Sequence, residues 1–384
     1  MTTQNATEVE QMPDSQINCE TIADASLPKV HRTCVWRRLW QDAAQSGLLK
    51  QFMPKVLGGD GATAQDFVRE MIGFGEASVD NGISMGLNSQ VWTIQQLLVA
   101  FATTAQKETY LPDLMSGQTV GAFALTEPDA GSDALAMKTR AVFRDDGYVL
   151  NGAKTLVGMG PVCDLAIVFA STAPENANWG ISAFIVTRDD VGFVRKPAQE
   201  KMGLKTLPMG PLGFDECWIP ADRLIGNEGS GARIIQTTLD WERSFILAPH
   251  VGAMARQMAA CVAYCQERQV FGQKIKEFQS VSNRLADMRV RLETSKLMLE
   301  RAAFLYDTNQ PLTQHAAMTN LHVSEAFLAS SLDALRNFGG AGFLNDAVAS
   351  LDLRDAVGGV IYSGTSDLQR QIIATLEAQQ RRPT

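Results

Sequence analysis

A carboxylate that is to pull a proton from carbon near neutral pH works best on an apolar face, where burial raises its pKa. Glu242 fits that description, because within residues 238–246 it shares a helical face with Leu239, Ile246 and Pro249. A lone glutamate more commonly pairs with an arginine on a solvated surface, and Arg243 stands next to it. In Tyr362-Ser363-Gly364-Thr365-Ser366 the serine hydroxyl is far too weak a base unless a neighbour activates it. Upstream, residues 123–133 read either as a Pro/Gly turn or as a phosphate cradle, with Gly131 allowing close backbone approach and Ser132 offering a hydroxyl donor. Arg268 has a fork that suits phosphate oxygens, although an arginine near a phenylalanine such as Phe271 at a helix end is usually surface plus core.

The segments that must carry these residues change texture twice along 384 residues. Residues 1–27 are low in apolar content, lack periodicity and read as a flexible tail. Residues 28–119 read as an α-helical domain, with Trp36, Leu39 and Trp40 at helical spacing, then Phe67, Met71, Ile72 and Phe74. Residues 120–225 carry short β-rich runs at 141–143, 148–150, 165–170, 181–186 and 213–218. Asp145-Asp146-Gly147, Asn151-Gly152 and Arg188-Asp189-Asp190 separate them, and Asp-Gly and Asn-Gly supply the positive φ that hairpin turns need. From 226 to 384 long amphipathic stretches return, over 232–267, 281–307 and 315–338. Helices, then a small antiparallel β domain, then helices make an α+β chain rather than a Rossmann alternation.

A formal charge of −8 argues against non-specific nucleic-acid binding, although one basic patch would suffice for a phosphate-bearing ligand. The polar opening lacks the cationic start and apolar core of a signal peptide, and apolar runs such as 165–170 stop short of membrane-spanning length. A soluble, cytoplasmic protein with no membrane partner is expected. Of the six cysteines, Cys261 and Cys265 sit one helical turn apart and read as packed thiols. Four scattered histidines assemble no metal site.

Taken as whole strings, these motifs resemble the acyl-CoA dehydrogenase family from about residue 30 to 380. The 123–133 string is similar to its flavin-binding Thr-Glu-Pro…Gly-Ser-Asp motif, which implies that Phe123, Leu125 and Thr126 meet the flavin and that Gly131 and Ser132 meet its phosphates. Residues 267–273 with Phe278-Gln279 resemble the segment that reaches the FAD of a neighbouring subunit. There Arg268 matches the pyrophosphate-binding arginine and Phe271 the residue at the adenine end, with Gln279 beside them. Residues 338–343 resemble the family's Gly-Gly-Asn-Gly loop, which keeps Gly339 and Gly340 on FAD, while Arg336 and Ala341 replace the usual glutamine and asparagine. Thr365 and Asp367 match positions that meet the adenosine diphosphate portion. The resemblance implies FAD, an N-terminal helical domain, a central antiparallel β-barrel-like domain, a C-terminal four-helix bundle, and a homotetramer built as a dimer of dimers.

Many family members carry their catalytic glutamate where Ser363 stands. Isovaleryl- and long-chain-type members place it in a Leu-Asp-x-Glu-Arg string, which Leu239-Asp240-Trp241-Glu242-Arg243 matches. The resemblance then implies oxidation of an acyl thioester, on CoA or on a carrier protein. Glu242 takes the α-proton, hydride leaves the β-carbon for flavin N5, and the Ser363 backbone N–H holds the thioester carbonyl. Arg243, Tyr362 and Gly364 are expected around the substrate. A second departure lies at the flavin, where Leu156, Gly158 and Met159 replace the tryptophan, threonine and asparagine of Trp-Ile-Thr-Asn-Gly. Drift accounts for this, and so does space beside N5 for O₂. The electron acceptor is then an electron-transfer flavoprotein or O₂, the latter defining an oxidase or mono-oxygenase of antibiotic (for instance tropone-type) biosynthesis. A flavin-binding homologue without catalysis is a further reading. Residues 205–209 depart from the usual Arg-x-Ser-x-Thr and imply an unusual loop near the substrate, while Trp241 and Phe245 either border the pocket or pack in the core.

Overall fold

Six helices open the described residues: α1 (Lys29–Gln45), α2 (Leu48–Gln51), α3 (Ala64–Ala77), α4 (Asn81–Ser89), α5 (Gln96–Phe101) and α6 (Thr104–Met115). The computed structural model describes residues 29–380, so the expected flexible tail at 1–27 lies outside the described residues. Local chemistry sets the helix starts. Thr63 accepts from the Asp66 N–H ahead of α3, Asp80 accepts from the Gly82 and Ile83 N–H groups ahead of α4, and Thr103 with Gln106 forms a capping box ahead of α6. Between α4 and α5, Gln90–Gln95 winds as a π-helix. There Gln90 reaches out of the helix, its Oε1 accepting from the Gly121 N–H at 2.8 Å.

The middle of the chain is one eight-stranded sheet: β1 (Gly121–Ala124), β2 (Arg140–Arg144), β3 (Gly147–Gly158), β4 (Leu165–Ser171), β5 (Ile181–Thr187), β6 (Phe193–Arg195), β7 (Met209–Pro220) and β8 (Leu224–Ile225). The order is β6-β7-β3-β2-β4-β5-β8, with β1 added alongside β4. Pairing is antiparallel except at β1–β4 and at the single Arg140–Ser171 pair that joins β2 to β4. The β2–β3 turn uses positive φ at Asp145 (54°) and Asp146 (57°), as the Asp-Asp-Gly string predicts. Asn151-Gly152 is not a second turn. β3 runs straight through it as an irregularity against β7, because the Asn151 side chain bonds to Glu216 on that strand, accepting from its N–H at 2.9 Å.

Helices return as α7 (Gly231–Phe245), α8 (Ala248–Glu267), α9 (Gln279–Asp307), α10 (Thr313–Phe338), α11 (Val348–Gly359) and α12 (Ser366–Gln380). A short hairpin, β9 (Gln269–Val270) and β10 (Gln273–Lys274), lies between α8 and α9. α10 touches α7, α8, α9, α11 and α12 and forms the axis of this half. The stretch expected as one helix over 232–267 breaks at Ile246-Leu247. Pro249 has no N–H to offer the Phe245 carbonyl, which instead accepts from Asn88 Nδ2 at 2.8 Å. By length and composition 231–267 would pass for a membrane span, but 72% of its apolar window is buried inside the protein. Trp92 of the π-helix stacks on Phe245 at 4.2 Å and packs tilted against Phe52 at 4.4 Å, which joins the N-terminal helices to α7. Such aromatic pairs contribute about 0.5–1.5 kcal/mol beyond their buried area. Cys163, Cys217, Cys261 and Cys265 are all buried free thiols.

Candidate active site

The C-terminal part of α7 meets the loop between α11 and α12. Ser363 Oγ donates to Glu242 Oε1 at 2.7 Å. Ser363 sits in the left-handed region at φ 57°, followed by Gly364 at φ 94°. Side chains from two helices fix this turn by its carbonyls: Arg243 Nε donates to Ser363 O at 3.1 Å, and Gln369 Nε2 donates to Ser363 O and Gly364 O, each at 3.0 Å. Among the described residues the Ser363 N–H has no backbone acceptor, which leaves it free for a ligand. Arg243 is buried and lies 3.8 Å from Asp240, itself held by Thr313 at 2.7 Å and Gln236 at 2.9 Å. Arg243 is thus spent on the turn and on Asp240, and among the described residues no cation ion-pairs with Glu242.

Glu242 keeps only partial exposure. Burial raises its pKa above the usual carboxylate range, with the Ser363 hydrogen bond and the Arg243 charge pulling the other way. A surface ion pair, the default for a lone glutamate, is not what forms here. Behind the turn, the Tyr362 hydroxyl lies 3.4 Å from His250 Nε2. His250 is fully buried against Phe327, and burial drives its pKa down to about 4, so it is neutral. Burial, reinforced by the Asp355 and Glu242 charges, pushes Tyr362 up and keeps it a neutral phenol.

The second set lies on β1, β3 and the turn after β1. Lys154, 0% exposed, donates to Leu125 O at 3.0 Å and to Glu127 Oε1 at 2.8 Å. Glu127 also accepts from the Lys138 N–H at 2.6 Å and the Thr139 N–H at 3.0 Å. Burial pulls Lys154 down to about 8 even with Glu127 opposing it. The Thr155 N–H donates to Thr126 O at 2.8 Å and ties β3 to the same segment. Phe123 packs edge-on against Phe169. A Cβ built at Gly131 or Gly158 would meet no atom within 4 Å, and Ser132 is exposed. Leu156 is 55% exposed at φ 55°, an apolar side chain held outward on a left-handed turn. A fixed backbone edge, open glycines and an uncovered leucine fit a planar ring with a phosphate tail.

Arg268, Phe271 and Gln279 are all exposed, with Phe271 93% exposed at φ 51° on the tip of the β9–β10 hairpin. Tyr264 packs on Phe338 at 4.8 Å, which sets the base of that hairpin beside the end of α10. There Gly339 and Gly340 face open space and Arg336 donates to Asp333 at 3.0 Å. Thr365 Oγ1 accepts from the Leu368 N–H at 3.2 Å at the start of α12, with Asp367 exposed beside it. Among the described residues none of Arg268, Phe271 and Gln279 hydrogen-bonds to Glu242 or to residues 125–132. An exposed phenylalanine beside an arginine fits a surface that a second chain completes.

Sequence reading missed several supports. Lys154 follows the Asn151-Gly152 pair closely enough for its string to have drawn notice, but His250 and Gln369 carry no signal of their own. The unusual 205–209 loop is tied down by acids: Leu204 N–H donates to Asp355, Thr206 donates to Asp80, and Asn81 bridges Asp352 and Asp355 at 2.9 and 3.0 Å. Burial raises Asp355 to about 7, while Arg256 pairs with Asp352 at 2.9 Å. Phe245 is a core residue stacked on Trp92, while Trp241 is partly buried at the edge of the core and stacks on Phe101.

A helical–sheet–helical chain that carries a carboxylate without an ion pair among the described residues, together with a segment of open glycines and a fixed backbone edge, has the features of a flavoprotein oxidoreductase. The N-terminal, middle and C-terminal domain profiles of acyl-CoA dehydrogenase match residues 19–118, 122–217 and 229–376, and the chain belongs to that FAD-dependent family. It is 38% identical over 351 residues, 91% of this chain and 92% of the relative, to an L-prolyl-peptidyl-carrier-protein dehydrogenase of Pseudomonas fluorescens. Among solved structures it resembles the prolyl acyl carrier protein oxidase AnaB, at TM-score 0.88 and 33% identity over 93% of this chain and 96% of the other. PigA with FAD and proline is also similar, at TM-score 0.88 and 33% identity over 91% and 92% of the two chains.

Proposed function

We propose that this protein removes two hydrogens from an acyl thioester tethered to a carrier protein, a prolyl group in the first instance, with Glu242 as the base. The observation that carries the reading is the Glu242 carboxylate itself: part-buried, raised in pKa, free of any ion pair among the described residues, and held by a single hydroxyl. A carboxylate so placed takes the Cα proton, while the free Ser363 N–H donates to the thioester carbonyl as negative charge builds there. Arg243 and Gln369 fix the carbonyls of that turn and so aim its N–H. FAD, when bound, supplies the acceptor for the hydride that leaves the neighbouring carbon. Leu125, Thr126, Gly131, Ser132, Leu156 and Gly158 would hold it, with Arg336, Gly339, Gly340, Thr365 and Asp367 also on it and Arg268, Phe271 and Gln279 reaching it from a neighbouring subunit. The carrier-bound prolyl substrate is favoured over acyl-CoA by the relatives at 38% and 33% identity. A soluble cytoplasmic homotetramer accords with the buried 231–267 helices and the exposed hairpin.

The test is turnover of an L-prolyl thioester on a peptidyl carrier protein, beside an acyl-CoA panel, followed by product mass. Glu242→Gln should cut turnover about a hundredfold to ten-thousandfold, the range of a general base. Wild-type speed in the mutant would remove the base assignment, and turnover of acyl-CoA alone would remove the carrier protein. One observation favours a second reading, in which O₂ rather than an electron-transfer flavoprotein takes the electrons. It is the open space at Gly158, where family members carry a threonine.

A further inference from the structure

The proposed function uses only the backbone of Ser363, yet its side chain makes the one hydrogen bond that the Glu242 carboxylate receives among the described residues. We propose that the Ser363 hydroxyl is a positioning residue, holding Glu242 in its reactive orientation while it is charged and accepting from it once the proton has arrived. This rests on Glu242 being the base. A hydroxyl both donates and accepts, so the contact survives the change of protonation state. An arginine partner, which only donates, could not accept from the protonated carboxyl, whereas an amide carries both a donor and an acceptor.

The frame that carries the hydroxyl is rigid. Arg243 from α7 and Gln369 from α12 both grip the Ser363 carbonyl, so Oγ is presented from a clamped turn at 2.7 Å rather than from a loose loop. The other titratable groups around Glu242 are committed elsewhere. On its own helix, Arg243 holds the turn, and Asp240 is bonded to Thr313 and Gln236. From the α11–α12 loop Tyr362 points its hydroxyl to His250 of α8. Asp355 of α11 is bonded to Leu204 and Asn81. Ser363 is therefore the group whose removal changes the carboxylate's hydrogen bonding without breaking another contact.

The backbone dictates the variants. At φ 57° glycine is unstrained and keeps the N–H, and asparagine tolerates the left-handed region while carrying a donor. In the FAD-loaded enzyme, Glu242 is followed by the carboxyl infrared band that Glu242→Gln abolishes, titrated against pH. The acid limb of kcat/KM is measured in parallel with an L-prolyl thioester on a peptidyl carrier protein. The Ser363 bond favours the charged form, so losing it must raise the carboxyl pKa. Ser363→Gly should move the infrared midpoint and the acid limb upward together by about one pH unit, and Ser363→Ala should give the same shift. Ser363→Asn should stay close to wild type. A Ser363→Gly enzyme that titrates at the wild-type pH overturns the proposal. Failure of the base assignment has a separate mark, wild-type turnover by Glu242→Gln.

Discussion

At the scale of single residues, the question left by Glu242 is where the electrons go, and Gly158 is where it can be asked. A side chain there would enter open space, and its φ is not in the left-handed region, so threonine fits without strain. Gly158→Thr should therefore fold as wild type and slow re-oxidation of the photoreduced flavin in air several-fold, as read by stopped-flow absorbance. Equal rates would show that this space does not admit oxygen. Glu242 was legible from sequence because the period within α7 puts it on the Leu239 face, but the face expected to continue through Ile246 to Pro249 is cut by the break at Ile246-Leu247, which places Pro249 on α8. The contact of Glu242 with Ser363 was not legible, because 121 positions separate the two and only the folded turn brings them together.

Elements decide whether those residues stay in place. The segment proposed to face the flavin, residues 125–132, has no helix to stiffen it, and the buried Lys154–Glu127 pair takes that part by gripping the Leu125 carbonyl. Removing one partner of a buried pair costs about 3–5 kcal/mol. The two removals should not be equal. Lys154→Met leaves Glu127 with the Lys138 and Thr139 N–H donors, whereas Glu127→Ala leaves a buried ammonium with the Leu125 carbonyl as its one oxygen partner. Glu127→Ala should thus lower Tm and FAD content more than Lys154→Met, by calorimetry and by the flavin-to-protein absorbance ratio. The reverse order would show that the pair does not work this way. The first part of β3 was readable from its β-rich run at 148–150, but its continuation through Asn151-Gly152 was not, because the irregularity there depends on Glu216 across the sheet. The break in 231–267 was hinted at by Pro249 but needed Asn88, from a distant helix, to be stable.

For the whole molecule, the exposed hairpin tip is the feature a single chain does not explain. A phenylalanine 93% exposed beside an exposed arginine gains stability only when covered. Phe271→Ala should weaken FAD retention about tenfold, roughly 1.4 kcal/mol and within what burying such a side chain contributes. Dialysis followed by sedimentation would show flavin loss together with a shift to smaller species. Flavin retained at wild-type affinity in the same assembly would exclude the hairpin from the cofactor's surroundings. The order of helices and strands was readable from texture alone, whereas an interface between copies leaves no periodic mark in one chain and was suggested by motif only.

The buried thiols acquire a different meaning if oxygen is the acceptor. Two-electron reduction of O₂ releases hydrogen peroxide beside the protein's own side chains, and peroxide attacks thiolates rather than thiols. Burial pushes Cys163, Cys217 and Cys261 up to about 12 and raises Cys265 as well, so each is protonated and enclosed. Packing that fills the core would then also shield these four sulfurs from an oxidant made at the protein's own flavin.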